Sequence, residues 1–144
     1  MSDSKPILLV EDDYVDTMAV KRVLKELNTA NDLVCALNGE DALTYLRGKD
    51  NKLPCLILLD LNMPKMNGME FLRVVKADET LKSIPIVVLT TSNDEQDMTR
   101  SFGLGAAAYI VKAFGYRDFR ERIRTIETYL APPQPVGEPE TAQL

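Results

Sequence analysis

The sequence contains no histidine. This removes the commonest side-chain general base and metal ligand and excludes a Ser-His-Asp or Cys-His nucleophile system, so any chemistry rests on carboxylates, hydroxyls and lysine. Only two cysteines occur, Cys35 and Cys55. There is no CxxC and each lies in an apolar run, so both are expected to be small buried hydrophobes in a reducing compartment rather than disulfide or metal ligands. No apolar run approaches the ~18 residues of a membrane-spanning helix. Met1-Ser2-Asp3-Ser4-Lys5 lacks the apolar core of a secretion signal, and a cytoplasmic location is expected. Basic charge is also short, with 17 Lys and Arg against 22 Asp and Glu and a net charge of −5. That balance argues against sequence-independent nucleic-acid binding, which needs clustered cations.

What is present is a regular alternation. The 144 residues suit one domain. Five short apolar runs stand out: Ile7-Leu8-Leu9-Val10, Leu33 to Leu37, Cys55 to Leu59, Ile84 to Leu89 and Ala106 to Val111. Runs of this length without a polar break read as strands buried on both faces of a parallel sheet. Each is followed by a helical pattern. In the first, Val20, Val23, Leu24 and Leu27 form an apolar stripe between Lys21, Arg22, Lys25 and Glu26. Asn38 is expected to cap the second helix. Phe71, Leu72 and Val75 mark the third. Ser92 with Glu95 reads as a capping box for a polar fourth helix. Phe119, Ile123, Ile126 and Leu130 form one stripe of a single last helix. Four of the eight prolines fall between residues 131 and 139, so residues 1–130 are expected to form the domain and 131–144 a flexible tail. Five βα units under the right-handed crossover rule predict an α/β fold: a doubly wound, flavodoxin-like sheet with strand order 2-1-3-4-5.

Polar residues cluster where the strands end. Glu11, Asp12 and Asp13 follow the first, Asp60 the third, Thr90 and Thr91 the fourth, and Lys112 the fifth. In open α/β sheets these ends converge on the ligand-binding crevice. Gathered carboxylates repel one another, and a hard divalent cation with oxygen ligands, Mg²⁺ above all, resolves the repulsion. A carboxylate beside such a cation, an ammonium and a hydroxyl is equipped to attack phosphorus, which makes Asp60 the candidate nucleophile and an aspartyl phosphate the expected product. A flavin-type cofactor fits poorly, since three acids follow the first strand in place of a glycine-rich phosphate loop.

These residues match a family. Leu8-Leu9-Val10-Glu11-Asp12-Asp13, Leu58-Leu59-Asp60-Leu61-Asn62-Met63-Pro64 and Asn67-Gly68, with Thr90 and Lys112, resemble the signatures of receiver domains of two-component response regulators over about residues 5–130. The resemblance implies a single-domain response regulator. Asp60 would be the phosphoacceptor, with Glu11, Asp12, Asp60 and the Asn62 carbonyl around Mg²⁺ and with Thr90 and Lys112 on the phosphoryl oxygens. Thr90 and Tyr109 would form the switch. Asp13 is the weaker member of the acid trio. The protein would be a phosphoacceptor that catalyses its own phosphorylation and dephosphorylation, not a turnover enzyme, and its partner a sensor histidine kinase or phosphotransfer protein. A homodimer through the fourth helix, fifth strand and fifth helix is further implied, with Tyr116, Tyr129, Leu130 and the arginines of the last helix suited to it. The stretches Leu9 to Asp16 and Ile84 to Asn93 look most like stand-alone regulators paired with bacterial phytochromes. A haloacid-dehalogenase-like phosphohydrolase is the alternative, although that family places a second aspartate where Asn62 stands. Ala113 replaces the proline that usually follows the lysine, often through a cis bond; before a non-proline residue that bond costs about 2.5–4 kcal/mol.

Overall fold

A computed structural model describes residues 5–130 apart from 64, 113 and 114. The expected tail and the Lys112–Ala113 bond lie outside the described residues. Strands and helices alternate as β1 (Ile7–Val10), α1 (Tyr14–Leu27), β2 (Leu33–Ala36), α2 (Gly39–Leu46), β3 (Leu56–Leu59), α3 (Gly68–Ala77), β4 (Ile86–Thr90), α4 (Glu95–Gly103), β5 (Ala108–Val111) and α5 (Tyr116–Ile123). The five strands form one parallel sheet in the order β2-β1-β3-β4-β5. The doubly wound fold read from the runs is therefore the fold observed.

The pleat divides each central strand between two cores. Leu8, Val10, Ile57, Leu59, Ile86 and Val88 pack against Ala42, Leu43 and Leu46 of α2 and Phe71, Leu72 and Val75 of α3. Ile7, Leu9, Leu56, Leu58, Val87 and Leu89 face Val20, Val23 and Leu24 of α1 and Phe119 and Ile123 of α5. Every residue of β1, β3 and β4 is buried, which is why these strands read as unbroken apolar runs. Each buried Leu, Ile or Val contributes about 1.5–3 kcal/mol, enough to fix strand order and register together.

Helix ends follow local chemistry. Asp13 caps α1 by accepting from the Asp16 N–H, and Asn38 caps α2 by accepting from the Asp41 N–H. Asn67 and Glu70 form a reciprocal capping box on α3. The box expected from Ser92 and Glu95 does not form. Asp94 caps α4 through the Gln96 N–H, while the Ser92 hydroxyl donates to Asp97. The last helix is not continuous either, because α5 passes into a 3₁₀ segment at Arg124–Tyr129 that keeps Ile126 buried. The cysteines also depart from expectation: Cys35 is exposed and Cys55 half-buried. Cys35 lies on the edge strand β2, which has a neighbour on one side only.

Close packing also seats α3 under the third strand end. The Gly68 N–H donates to the Leu61 carbonyl at 3.0 Å, and a Cβ on Gly68 would lie 2.5 Å from the Asp60 carbonyl oxygen and from Leu61 Cα. Backbone on that side cannot turn aside as a flexible side chain would. Gly68→Ala should therefore cost about 1–3 kcal/mol in urea unfolding. A loss below about 0.5 kcal/mol would show that the loop after β3 yields freely.

Candidate functional site

Register places the site. Val10 is level with Leu59, so Glu11 and Asp60 leave adjacent strand ends side by side, and Thr90 is level with Val111, one residue before Lys112. The backbone ladder carries on past the strands. Asp60 N–H donates to the Val10 carbonyl at 3.0 Å, Glu11 N–H to Ala36 at 2.9 Å and Lys112 N–H to Thr90 at 2.7 Å. Carboxylate oxygens of Glu11, Asp12 and Asp60 fall within 4.8 Å of one another. Glu11, Asp60 and Thr90 are buried at 2%, 6% and 0% exposure, whereas Asp12 is exposed, so the cluster opens to solvent through Asp12. Asp12 and Asn62 line a cleft of about 560 Å³ that continues to Asp97 and Arg100 of α4. The β2 end adds no member; Asn38 after it is occupied as a helix cap.

Lys112 enters from the fifth strand. Its ammonium donates to Glu11 Oε1 at 2.8 Å and to Asp16 Oδ2 at 2.6 Å, with its side chain only 9% exposed. It does not pair directly with Asp60. Asp16 was not among the expected site residues. The signal was a carboxylate in the first turn of α1, five residues after Glu11, but the lysine it meets is 96 residues away. Asp13 lies outside the cluster as the α1 cap, and its N–H donates to Glu11 Oε2 at 3.1 Å.

The remaining predicted members border the crevice. Asn62 N–H donates to Asp60 Oδ1 at 3.3 Å, fixing the carboxylate from the loop side. The Thr90 hydroxyl accepts from the Ser92 N–H at 3.4 Å, and the Tyr109 hydroxyl donates to the Ser92 carbonyl at 3.0 Å. Thr90 and Tyr109 are thus joined through one residue of the loop after β4. The three residues expected with the dimer face are partly buried. Tyr116, Tyr129 and Leu130 lie against the α1 side of the core, with the Arg22 guanidinium 3.8 Å over the Tyr116 ring. Arg120 pairs with Glu26 of α1 at 3.3 Å.

Electrostatics follow from burial. Burial lifts Glu11 from its ordinary 4.5 to about 7; the hydrogen bond from Lys112 works against that rise and the charge of Asp60 adds to it. Burial also raises Asp60, with the Lys112 charge opposing. Burial alone would lower Lys112, but its hydrogen bonds to Asp16 and Glu11 outweigh that and hold the ammonium above its ordinary range. One buried cation therefore faces more negative charge than it neutralises. Such a site has room for further positive charge.

Fold and site together define a doubly wound α/β domain whose chemistry lies at the carboxyl edge of the sheet. Residues 7–124 match the response regulator receiver domain. The chain is similar to response regulator Rcp1 of Synechocystis sp., 38% identical over 129 residues that cover 87% of this chain and 88% of Rcp1. The Mn²⁺-bound crystal structure of Rcp1 superposes with a TM-score of 0.80 at 39% identity, covering 86% of this chain and 92% of that one. The phosphorylated cyanobacterial phytochrome response regulator RcpA gives 0.81 at 38% identity, with 87% and 92% covered. The bacteriophytochrome response regulator AtBRR gives 0.75 at 36% identity, with 95% and 100% covered. The chain belongs to the receiver-domain family of two-component response regulators.

The raised Glu11 has a consequence for stability. Folded Glu11 keeps its proton up to about pH 7, whereas the unfolded chain releases it near 4.5. Its contribution is fully present below the lower value and is lost as pH rises through the upper one. In metal-free protein, Glu11→Gln should therefore lose less melting temperature than the wild type between about pH 5 and about pH 8. Equal losses would show that burial does not hold that proton.

Proposed function

We propose that this chain is a single-domain response regulator in which Asp60 accepts a phosphoryl group from a partner histidine kinase or phosphotransfer protein in a Mg²⁺-dependent reaction. The observation that carries the reading is the cluster of Glu11, Asp12 and Asp60 carboxylates within 4.8 Å, with the Lys112 ammonium bound to its edge. An all-oxygen donor set of this charge, exposed on the Asp12 side, fits a hard divalent cation. Glu11, Asp12, Asp60 and the Asn62 carbonyl would hold it. When bound, the cation supplies neutralisation of the phosphoryl oxygens.

The chain's own residues do the rest. Asp60 attacks phosphorus as the carboxylate, the bond to the donor's leaving group breaks, and an acyl phosphate forms. The Asn62 N–H orients the attacking carboxylate from the side of the β3–α3 loop. Lys112 and the Thr90 hydroxyl provide donors for the oxygens that develop charge. A haloacid-dehalogenase-type hydrolysis has less support. At the second position after Asp60 that mechanism places an acid to protonate the leaving group, and Asn62 carries none. The protein is accordingly read as a phosphoacceptor switch with chemistry confined to its own site, working in the cytoplasm.

Similarity to the phytochrome response regulator RcpA and the bacteriophytochrome response regulator AtBRR supports a phytochrome-type kinase as the phosphodonor. Thr90 and Tyr109 would carry the change outward through their shared link at Ser92. A homodimer through α4, β5 and α5 would then present Phe102, which is 47% exposed, with Tyr109 and Arg122.

Phosphate uptake from acetyl phosphate, read by intact-protein mass spectrometry, tests the core of the proposal. Uptake should vanish in Asp60→Asn and in EDTA; undiminished uptake in the variant would remove Asp60 from its role. Beryllofluoride, a phosphoryl mimic, should shift NMR resonances of α4 and β5 as well as the crevice loops. Light scattering at high micromolar concentration should give a dimer that Phe102→Asp weakens, and a monomer with and without beryllofluoride would refute the dimer.

A further inference from the structure

Lys112 is required on the phosphoryl group in the reading above, yet in this structure its ammonium is engaged by Glu11 and Asp16 and forms no ion pair with Asp60. Asp16 makes the shorter of the two contacts, 2.6 Å against 2.8 Å. Its backbone is fixed independently, since the Asp16 N–H donates to the Asp13 cap at 3.0 Å. Its carboxylate belongs to no cap and is left to face the lysine. The two partners also differ in burial. Glu11 is almost wholly enclosed, whereas Asp16 keeps 29% of its side chain in solvent and can be rehydrated at small cost when the lysine leaves.

We infer that Asp16 is a positioning residue that parks Lys112 in the resting state and releases it when Asp60 carries a phosphoryl group. Glu11 is the pivot, close to both Asp60 and Lys112, and the ammonium moves about it from the Asp16 side to the Asp60 side. A contact made in only one of two states shifts the balance toward that state by the free energy of the contact. Asp16 therefore favours the resting form and restrains the population of the active one. The inference rests on the phosphoacceptor reading of Asp60 and adds a brake to it.

The test uses the full chain with Mg²⁺ and beryllofluoride, binding being followed by ¹⁹F NMR. Asp16→Asn keeps the side-chain size and spares the Asp13 cap. It should bind beryllofluoride roughly three- to fivefold more tightly than the wild type, as expected for release of a partly exposed ion pair. Asp16→Glu, which retains a carboxylate, should stay within about twofold of the wild type. Asp13→Asn removes a neighbouring charge, keeps a capping residue and does not touch Lys112, so it should also stay within about twofold. In metal-free protein the Lys112 ammonium resonance should be sharp in the wild type and broadened by solvent exchange in Asp16→Asn. Unchanged or weaker binding by Asp16→Asn, an equal tightening by Asp13→Asn, or an unaltered lysine resonance would each overturn the inference. Failure of the parent reading looks different: no variant, the wild type included, would bind beryllofluoride, and the release step would fall with it.

Discussion

Ionised carboxylates can be gathered in a buried crevice only where positive charge meets them, and among the described residues the ammonium bound to this cluster is that of Lys112. Glu11 and Asp60 follow the adjacent interior strands β1 and β3, at 2% and 6% exposure, and the ammonium reaches Glu11 from the edge strand β5. Its backbone N–H is tied to Thr90 and its side chain to Glu11 and Asp16, so four segments of the chain are held together at one residue. A single cation cannot neutralise all of them. Burial displaces both Glu11 and Asp60 upward, and a second cation in the crevice would favour their charged forms.

Everything behind the crevice serves to hold those strand ends level. The ladder register of β1 with β3 and of β4 with β5 sets which residues emerge side by side, and the two apolar cores keep that register from slipping. A slip of one residue would turn Val10 and Leu59 out of their core and bury the acids beyond them on the wrong face. The loop after Asp60 is held from the opposite side, where Gly68 brings α3 against the Asp60 carbonyl and Gly39 donates to Met66 at 3.3 Å. Rigid backbone below and solvent above Asp12 leave one direction of approach.

Features dictated by local pattern were legible in the sequence. Burial on both faces writes itself as unbroken apolar runs, so β1, β3 and β4, the strand order and the polar groups at four strand ends were legible in the sequence. Features decided by contacts between distant segments were not. Asp16 looks like any acid in the first turn of a helix, and only the arrival of Lys112 gives it a task. Ser92 satisfies a capping pattern, but Asp94 lies closer to the first turn and wins; the Ser92 hydroxyl turns to Asp97, while its backbone links Thr90 with Tyr109. Cys35 lies in an apolar run, yet an edge strand covers fewer of its residues. Tyr116 and Arg120 alternate with acids on α5 as if solvated, while α1 supplies Arg22 and Glu26 to receive them.

The same distribution of contacts determines which element responds first to events at the crevice. Among the described residues of α4, Ser101 alone is buried, and the helix leans on the core through Met69 and β5 instead of through a stripe of its own. By contrast, α1, α2 and α3 each bury three or more residues. Elements with little buried area open at the lowest free energy. The loop that leads into α4 carries both the Ser92 N–H held by Thr90 and the Ser92 carbonyl held by Tyr109. In the proposed reading, drawing the Thr90 hydroxyl toward Asp60 would pull on that N–H, and the pull would reach a helix with little to resist it and an aromatic ring whose anchor is the same residue. Motion begun at that buried hydroxyl would thus be directed to the face formed by α4 and β5, with the better-packed α1, α2 and α3 staying in place.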